Sequence, residues 1–206
     1  MPRITSLHVD FSQDAFKMDF ASLLQPHFSN LRDLVVKTEE CIASPLAQVV
    51  MSSCPMLESL CAPFVDAHVV TEGKPWVCSN LKALVLRLCF SSASSVSHLQ
   101  PLVFDRLSKL TRLQDLCMAG GFEDEGPDLQ HGVVDLRIDY GLGKLSTLRR
   151  LYAFTIWQMD QRMGDPEVDW ILEHWRSLTI FTGSLNTDPA VDQALRERLK
   201  GHGISE

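Results

Sequence analysis

Short hydrophobic hexads of the form L-x-x-L-x-L, with conservative apolar replacements, recur along this chain. The five clearest copies begin at Ile4, Leu31, Leu57, Leu81 and Leu113. Their first residues lie 27, 26, 24 and 32 positions apart. In each copy the alternation of apolar and polar residues predicts a β-strand that buries only one of its faces. Five such strands at nearly regular spacing indicate a tandem repeat array.

The hexad and its spacing predict an α/β fold of the leucine-rich-repeat class. Repeats of this class take about 20–29 residues, so three of the four intervals fit and the fourth requires an insertion. We expect a solenoid with a curved parallel sheet on its concave side and helices on its convex side. Looser hexads extend the array, at Val133/Leu136/Ile138, at Leu148/Leu151/Ala153 and at Leu178/Phe181.

Short turns and proline-started helices complete the predicted repeats. Polar turns precede three of the hexads, at 28–31, 54–57 and 78–81, and Cys54 and Cys78 in these turns are expected to be buried. A polar residue followed by proline predicts a helix start at Ser44, Gln100, Asp165 and Asp188. We therefore divide the chain into residues 1–186, an array of about six to eight irregular repeats, and residues 187–206, a capping helix and tail.

Composition and net charge restrict the classes of function that the chain can have. The 206 residues are 45% apolar and 22% charged, which is typical of a globular protein. A net charge of −7 argues against a large basic surface for nucleic acid. Neither a signal peptide nor a membrane-spanning run is visible, and the six cysteines lack C-x-x-C spacing. We expect an intracellular protein, cytoplasmic or nuclear, that binds neither nucleic acid nor membranes.

The sequence contains no motif that predicts a catalytic residue, a cofactor or a metal site, so the chain is not expected to be an enzyme. Residues 141–144 contain G-x-G but lack the third glycine of a dinucleotide fingerprint, which favours a turn. The seven histidines are isolated, and His174 is expected to lie at a helix end. The acidic stretch 120–128 is interpreted as a solvated insertion rather than a site for a cation or a basic partner.

Function is expected on the concave face, where the residues between the leucines project towards solvent. For the strand near residue 150, the hexad at Leu148 places Arg150, Tyr152 and Phe154 on that face. Arginine and tyrosine dominate binding hot spots. The predicted protein-binding cluster is Arg87, Asp115, Asp135, Arg137, Asp139, Arg150 and Tyr152. The alternative is a set of solvated strand faces with weak cross-strand ion pairs.

The last third of the chain carries a more specific pattern. Its segments, in order, are 136–138, 141–151, 161–170, 173–175, Leu178 and 183–185. In this order of Trp, His-Trp, Leu and Gly-x-Leu the chain resembles the leucine-rich-repeat region of fungal F-box-like proteins. The resemblance covers most of the chain.

The resemblance implies the recognition of a protein target for a ubiquitin ligase. In such proteins an F-box of about 40 residues binds the adaptor of a cullin-type ligase, and the repeats hold the target. No helical F-box precedes the first hexad, so adaptor binding would need this missing N-terminal segment. The alternatives are a free-standing repeat scaffold or a truncated fragment without a ligase role, and an enzyme of an unrecognised α/β type.

Overall fold

A computed structural model describes residues 4–10, 20–37, 44–119, 134–157 and 159–206. Its strands are β1 (Ser6–Asp10), β2 (Asp33–Lys37), β3 (Ser59–Asp66), β4 (Ala83–Cys89), β5 (Asp115–Ala119), β6 (Ala153–Trp157) and β7 (Ile180–Thr182). Its α-helices are α1 (Phe20–Leu24), α2 (Ser44–Ser53), α3 (Ala67–Glu72), α4 (Ala93–Leu107), α5 (Asp165–His174) and α6 (Pro189–Gly201). Three short 3-10 helices span Gln25–His27, Ile138–Tyr140 and Leu142–Thr147.

The seven strands form one open parallel sheet in chain order, β1 to β7. Each strand pairs with the next, and equivalent hexad positions lie opposite each other. One continuous row across the sheet contains Leu7, Leu34, Leu60, Leu84, Leu116, Phe154 and Phe181. The predicted α/β fold with a parallel sheet is therefore confirmed, with strands at the five clearest hexads, and the sheet is open.

One face of the sheet is buried beneath the helices. In the row just described, the residues from β2 to β7 are at most 3% exposed, and Leu34 and Leu116 are fully buried. The helices contact one another in chain order, from α1 to α4 and from α5 to α6, so they form a single layer over this row. Burial of each leucine contributes about 1.5–3 kcal/mol, so the row is a principal source of stability.

A two-residue turn leads into each strand from β2 to β7. These turns are Ser29-Asn30, Pro55-Met56, Ser79-Asn80, Thr111-Arg112, Arg149-Arg150 and Arg176-Ser177. In the turns before β3 to β7, the amide of the leucine after the turn donates to the carbonyl of the residue before it, as in Leu81 to Cys78 at 3.1 Å and Leu178 to Trp175 at 2.9 Å. In the turn before β2, the Leu31 amide donates to the His27 carbonyl at 3.0 Å, one residue further back. The five turns before β3 to β7 are thus the same hydrogen-bonded reversal, repeated once per strand.

The residue before each turn forms an inner wall of the core, as predicted for the two cysteines. Cys54 and Cys78 are fully buried, and burial raises the pKa of each thiol to about 12. A thiol is nucleophilic only as its thiolate, so both side chains act as small apolar groups.

Three of the four predicted helix starts are confirmed. α2 begins at Ser44, α5 begins at Asp165 with Pro166 in its first turn, and the carboxylate of Asp188 accepts the first amides of α6. The start at Gln100 is wrong. α4 begins at Ala93, seven residues earlier, because Ser92 and Ser95 form a capping box there, and Pro101 lies inside the helix.

The strand predicted at Val133/Leu136/Ile138 is also absent from the described residues, because side chains occupy its backbone groups. The Gln161 amide accepts from the Leu136 amide at 2.9 Å and donates to the Val134 carbonyl at 2.7 Å. The Gln100 side chain likewise donates to the Asp135 carbonyl and accepts from the Asp135 backbone amide. Residues 134–137 therefore lie beside α4, not in the sheet.

Candidate functional site

The face of the sheet opposite the helices, which we call the open face, is the candidate site. Its side chains come from the alternate strand positions that do not enter the core. They are Ser6, His8, Asp10, Asp33, Val35, Lys37, Ser59, Cys61, Ala83, Val85, Asp115, Cys117, Ala119, Ala153, Thr155, Trp157, Ile180 and Thr182. Most of them are half-buried or exposed.

The middle of the open face is apolar. Val35, Cys61, Val85 and Cys117 form one row across β2, β3, β4 and β5, because their strand positions are paired in register. All four are half-buried by their neighbours on the sheet. Adjacent strands lie about 4.8 Å apart, so the row is a strip roughly 15 Å long. Such a strip provides apolar contact area for a partner.

Asp115 is a carboxylate beside this apolar row, two residues before Cys117 in β5. It pairs in register with Ala83 on one side and Ala153 on the other. Burial raises the pKa of the Asp115 carboxyl because neither neighbour can replace the water it has lost.

The open-face thiols are kept in their neutral form. Burial raises the pKa of Cys117, and the nearby Asp115 and Cys61 raise it further. Burial likewise raises the pKa of Cys61, although Lys37 partly opposes this. The thiolate needed for nucleophilic chemistry is therefore disfavoured at both positions.

Two exposed aromatic side chains lie at the two ends of β6. Trp157, at the end of the strand and paired in register with Ala119, is 64% exposed. Tyr152, immediately before the strand, is 43% exposed. Solvent exposure of a tryptophan leaves a large apolar area in water, and aromatic residues of this kind are enriched in protein interfaces.

The structure does not bring the predicted binding cluster together. Asp115 lies on the open face, as predicted. Arg87 lies in β4, two residues after Val85, and is only 5% exposed. Arg150 belongs to the turn before β6, and Tyr152 follows that turn. Arg87 is therefore not available as an exposed contact.

Asp135, Arg137 and Asp139 lie outside the sheet, in the segment held by Gln100 and Gln161. The Arg137 guanidinium binds the Asp135 carboxylate at 2.6 Å and lies 4.7 Å from the centre of the Tyr140 ring. This ion pair raises the pKa of Arg137. The sequence pattern predicts the three residues on the concave face because it predicts a strand there, and that placement is wrong.

Sequence reasoning missed Trp157 because the predicted repeat frame at β6 starts three residues too early. The buried hexad of this repeat is Leu151, Phe154 and Ile156, so Phe154 is in the core and not on the open face. Leu148, the predicted first leucine, is the wall residue before the turn. The run Leu151-x-x-Phe154-x-Ile156 is itself a hexad with one aromatic replacement and would have predicted Trp157 on the open face.

The other sequence features considered for binding or catalysis, the G-x-G segment, His174 and the acidic stretch, either have structural roles or lie outside the described residues. Gly141 starts the 3-10 helix Leu142–Thr147 with a φ of 101°, which fits the predicted turn. The His174 ring contacts the Trp170 carbonyl at 3.0 Å at the end of α5, as predicted. No group of metal-ligating side chains is found among the described residues. The acidic stretch 120–128 lies outside them.

Replacement of Asp115 by asparagine is expected to stabilise the protein at neutral pH. A carboxyl whose pKa is raised by folding binds more protons in the folded state, so its stability contribution is complete at low pH and lost as pH rises. Thermal melts should therefore give Asp115→Asn a higher melting temperature than wild type at about pH 7, and nearly the same melting temperature at about pH 3. Asp33→Asn, at the equivalent position of β2, is the control. A difference that is the same at both pH values would contradict the assignment.

Comparison with known proteins provides no family for this chain. No family model matches it, and no curated protein matches it. Among solved structures, a Bacteroides fragilis protein from the Northeast Structural Genomics Consortium is similar at a TM-score of 0.42 and 12% identity, over 98% of this chain. The chain spans 64% of the length of that protein. In the part of the chain that the structure describes, none of the helices has the length and apolar character needed to cross a membrane.

Proposed function

We propose that the chain is a protein–protein interaction module that binds its target on the open face. The observation that supports this most is the exposure of Trp157 in β6, the strand next to Cys117, the last residue of the apolar strip. An extended sheet face suits another protein better than a small molecule, which needs an enclosing pocket. The neutral thiols of Cys61 and Cys117 also favour contact over chemistry.

The binding face belongs, in this proposal, to a leucine-rich-repeat solenoid. The parallel strands in chain order, the repeated turn and the single helix layer are what that architecture requires. Residues 1–186 would form the array, and α6 with the tail would cover its last strand. The amide of Phe181 in β7 donates to the Ser205 carbonyl at 2.8 Å, and the amide of Ser205 donates to Thr179, which supports such a covering role.

The resemblance to fungal F-box-like proteins extends the proposal to substrate recognition for a cullin-type ubiquitin ligase. In that role the open face holds the target, and a separate F-box segment binds the adaptor. A free-standing scaffold is the competing function. Both use the same open face and differ only in whether the ligase adaptor accompanies the target.

Substitution of Trp157 is expected to weaken target binding strongly without affecting the fold. Because Trp157 is 64% exposed, Trp157→Ala leaves the core intact, whereas loss of an interface tryptophan typically costs about 2 kcal/mol or more, roughly 30-fold in affinity. Leu102→Ala is the matched control, since Leu102 is 53% exposed on α4 in the helix layer.

The test captures proteins from a fungal extract on wild type, Trp157→Ala and Leu102→Ala, and then titrates each captured protein in purified form. We expect a target that binds wild type and Leu102→Ala but not Trp157→Ala. Targets that bind all three proteins equally would overturn the open face as the binding site. The ligase adaptor among the captured proteins would favour the recognition role, and its absence would favour the scaffold.

A further inference from the structure

Four arginines are concentrated on three consecutive turns at the end of the sheet where the strands begin. These turn arginines are Arg112, Arg149, Arg150 and Arg176, in the turns that lead into β5, β6 and β7. The three preceding turns, Ser29-Asn30, Pro55-Met56 and Ser79-Asn80, carry no charged residue. The turns before β2, β3 and β4 are therefore neutral, whereas the turns before β5, β6 and β7 are strongly basic.

Stacking of the repeats holds these turns side by side. The Arg112 guanidinium donates to the Asn80 side chain at 2.7 Å, across to the preceding turn. The Ser177 hydroxyl donates to the Arg149 carbonyl at 3.0 Å, across to the last turn. Because neighbouring strands lie about 4.8 Å apart, the three turns occupy a ridge roughly 10 Å wide at the level of the backbone.

All four turn arginines are exposed, and none forms an ion pair with a described residue. Arg176 donates to the backbone carbonyl of Glu173 at 3.2 Å, not to its carboxylate. Other basic residues near the strand starts are compensated, since Arg32 and Lys82 both bind Glu58. Among the described residues the turn arginines thus have no carboxylate partner, on a chain with a net charge of −7.

We propose that the turn arginines bind a short acidic segment of a partner protein. A guanidinium pairs with a carboxylate through two parallel hydrogen bonds, so four adjacent arginines favour a run of Asp or Glu side chains. The width of the ridge suits a segment of a few residues. A long polyanion such as nucleic acid would extend over the acidic remainder of the chain and be repelled by it. The ridge can be occupied independently of the open face.

The test measures fluorescence anisotropy of a labelled octapeptide of alternating Glu and Asp, at low and at physiological ionic strength. One variant replaces all four turn arginines by glutamine. The control variant replaces Lys74, Lys144, Arg162 and Lys200, which are exposed outside the turns and the open face, by glutamine and therefore has the same net charge. Circular dichroism of both variants confirms that the fold is kept.

We expect the wild type and the control to bind the peptide within about twofold of each other, and the turn variant to bind it roughly tenfold or more weakly. Binding should also weaken as salt is raised. Equal losses in the two variants, or no binding by wild type, would overturn the proposal. A single-stranded oligonucleotide of equal charge that binds wild type more tightly than the peptide would overturn the assignment of a protein partner.

Discussion

Leu84→Asp is expected to unfold the protein. Leu84 lies in β4, the central strand, and is 1% exposed in the row of leucines beneath the helices. An aspartate there removes the leucine's packing and places a carboxylate where no water can reach it. The combined cost of about 5 kcal/mol is comparable to the entire stability of a small domain. A circular dichroism melt should show no cooperative transition.

Val85→Asp provides the control for this prediction, because Val85 is the next residue of the same strand but lies on the open face. Val85→Asp introduces the same charge as Leu84→Asp at the neighbouring position. The two variants differ in the face of the sheet on which the new carboxylate lies. We expect Val85→Asp to fold and to melt cooperatively. If both variants unfold, or if neither does, the assignment of buried and open faces is wrong.

The second large effect is expected for Gln161→Leu. Gln161 is 1% exposed, and its amide is the hydrogen-bond partner of the Leu136 amide and the Val134 carbonyl, both in a buried segment. Leucine has a similar volume but leaves both backbone groups without a partner. Each buried unpaired group costs about 1–3 kcal/mol, so urea denaturation should show a loss of about 2–5 kcal/mol in the free energy of unfolding.

Gln193→Leu is the matched control for Gln161. Gln193 is exposed on α6, and its side chain donates to Glu197 at 2.8 Å. The same substitution there should change the free energy of unfolding by no more than about 0.5 kcal/mol. A loss at Gln161 as small as the loss at Gln193 would show that the segment 134–137 is not held by this side chain.

The error at β6 shows why apolar spacing alone leaves the repeat frame ambiguous. The wall residue before the turn and the first leucine after it are both buried and lie three positions apart, as Leu148 and Leu151 do. Either can be interpreted as the start of a hexad. In the earlier repeats Cys54 and Cys78 occupy the wall position, so no second leucine competes and the frame is clear.

For β1 to β5 the sequence alone determined which side of the strand faces the core, because that alternation is local and has the period of the backbone itself. It also determined where α2, α5 and α6 begin, since a cap and a proline act within one helical turn.

Only the tertiary structure decided the path of residues 134–137, the burial of Arg87 and the meeting of the turn arginines. Gln100 and Gln161 bind backbone groups that are 35 and 25 residues away in sequence. Contacts over such separations leave no local pattern of residues that could predict them. The turn arginines likewise become neighbours only when the strands stack. A net charge of −7 argues against a large basic surface, whereas the fold collects on one ridge four arginines that form no ion pair with a described residue.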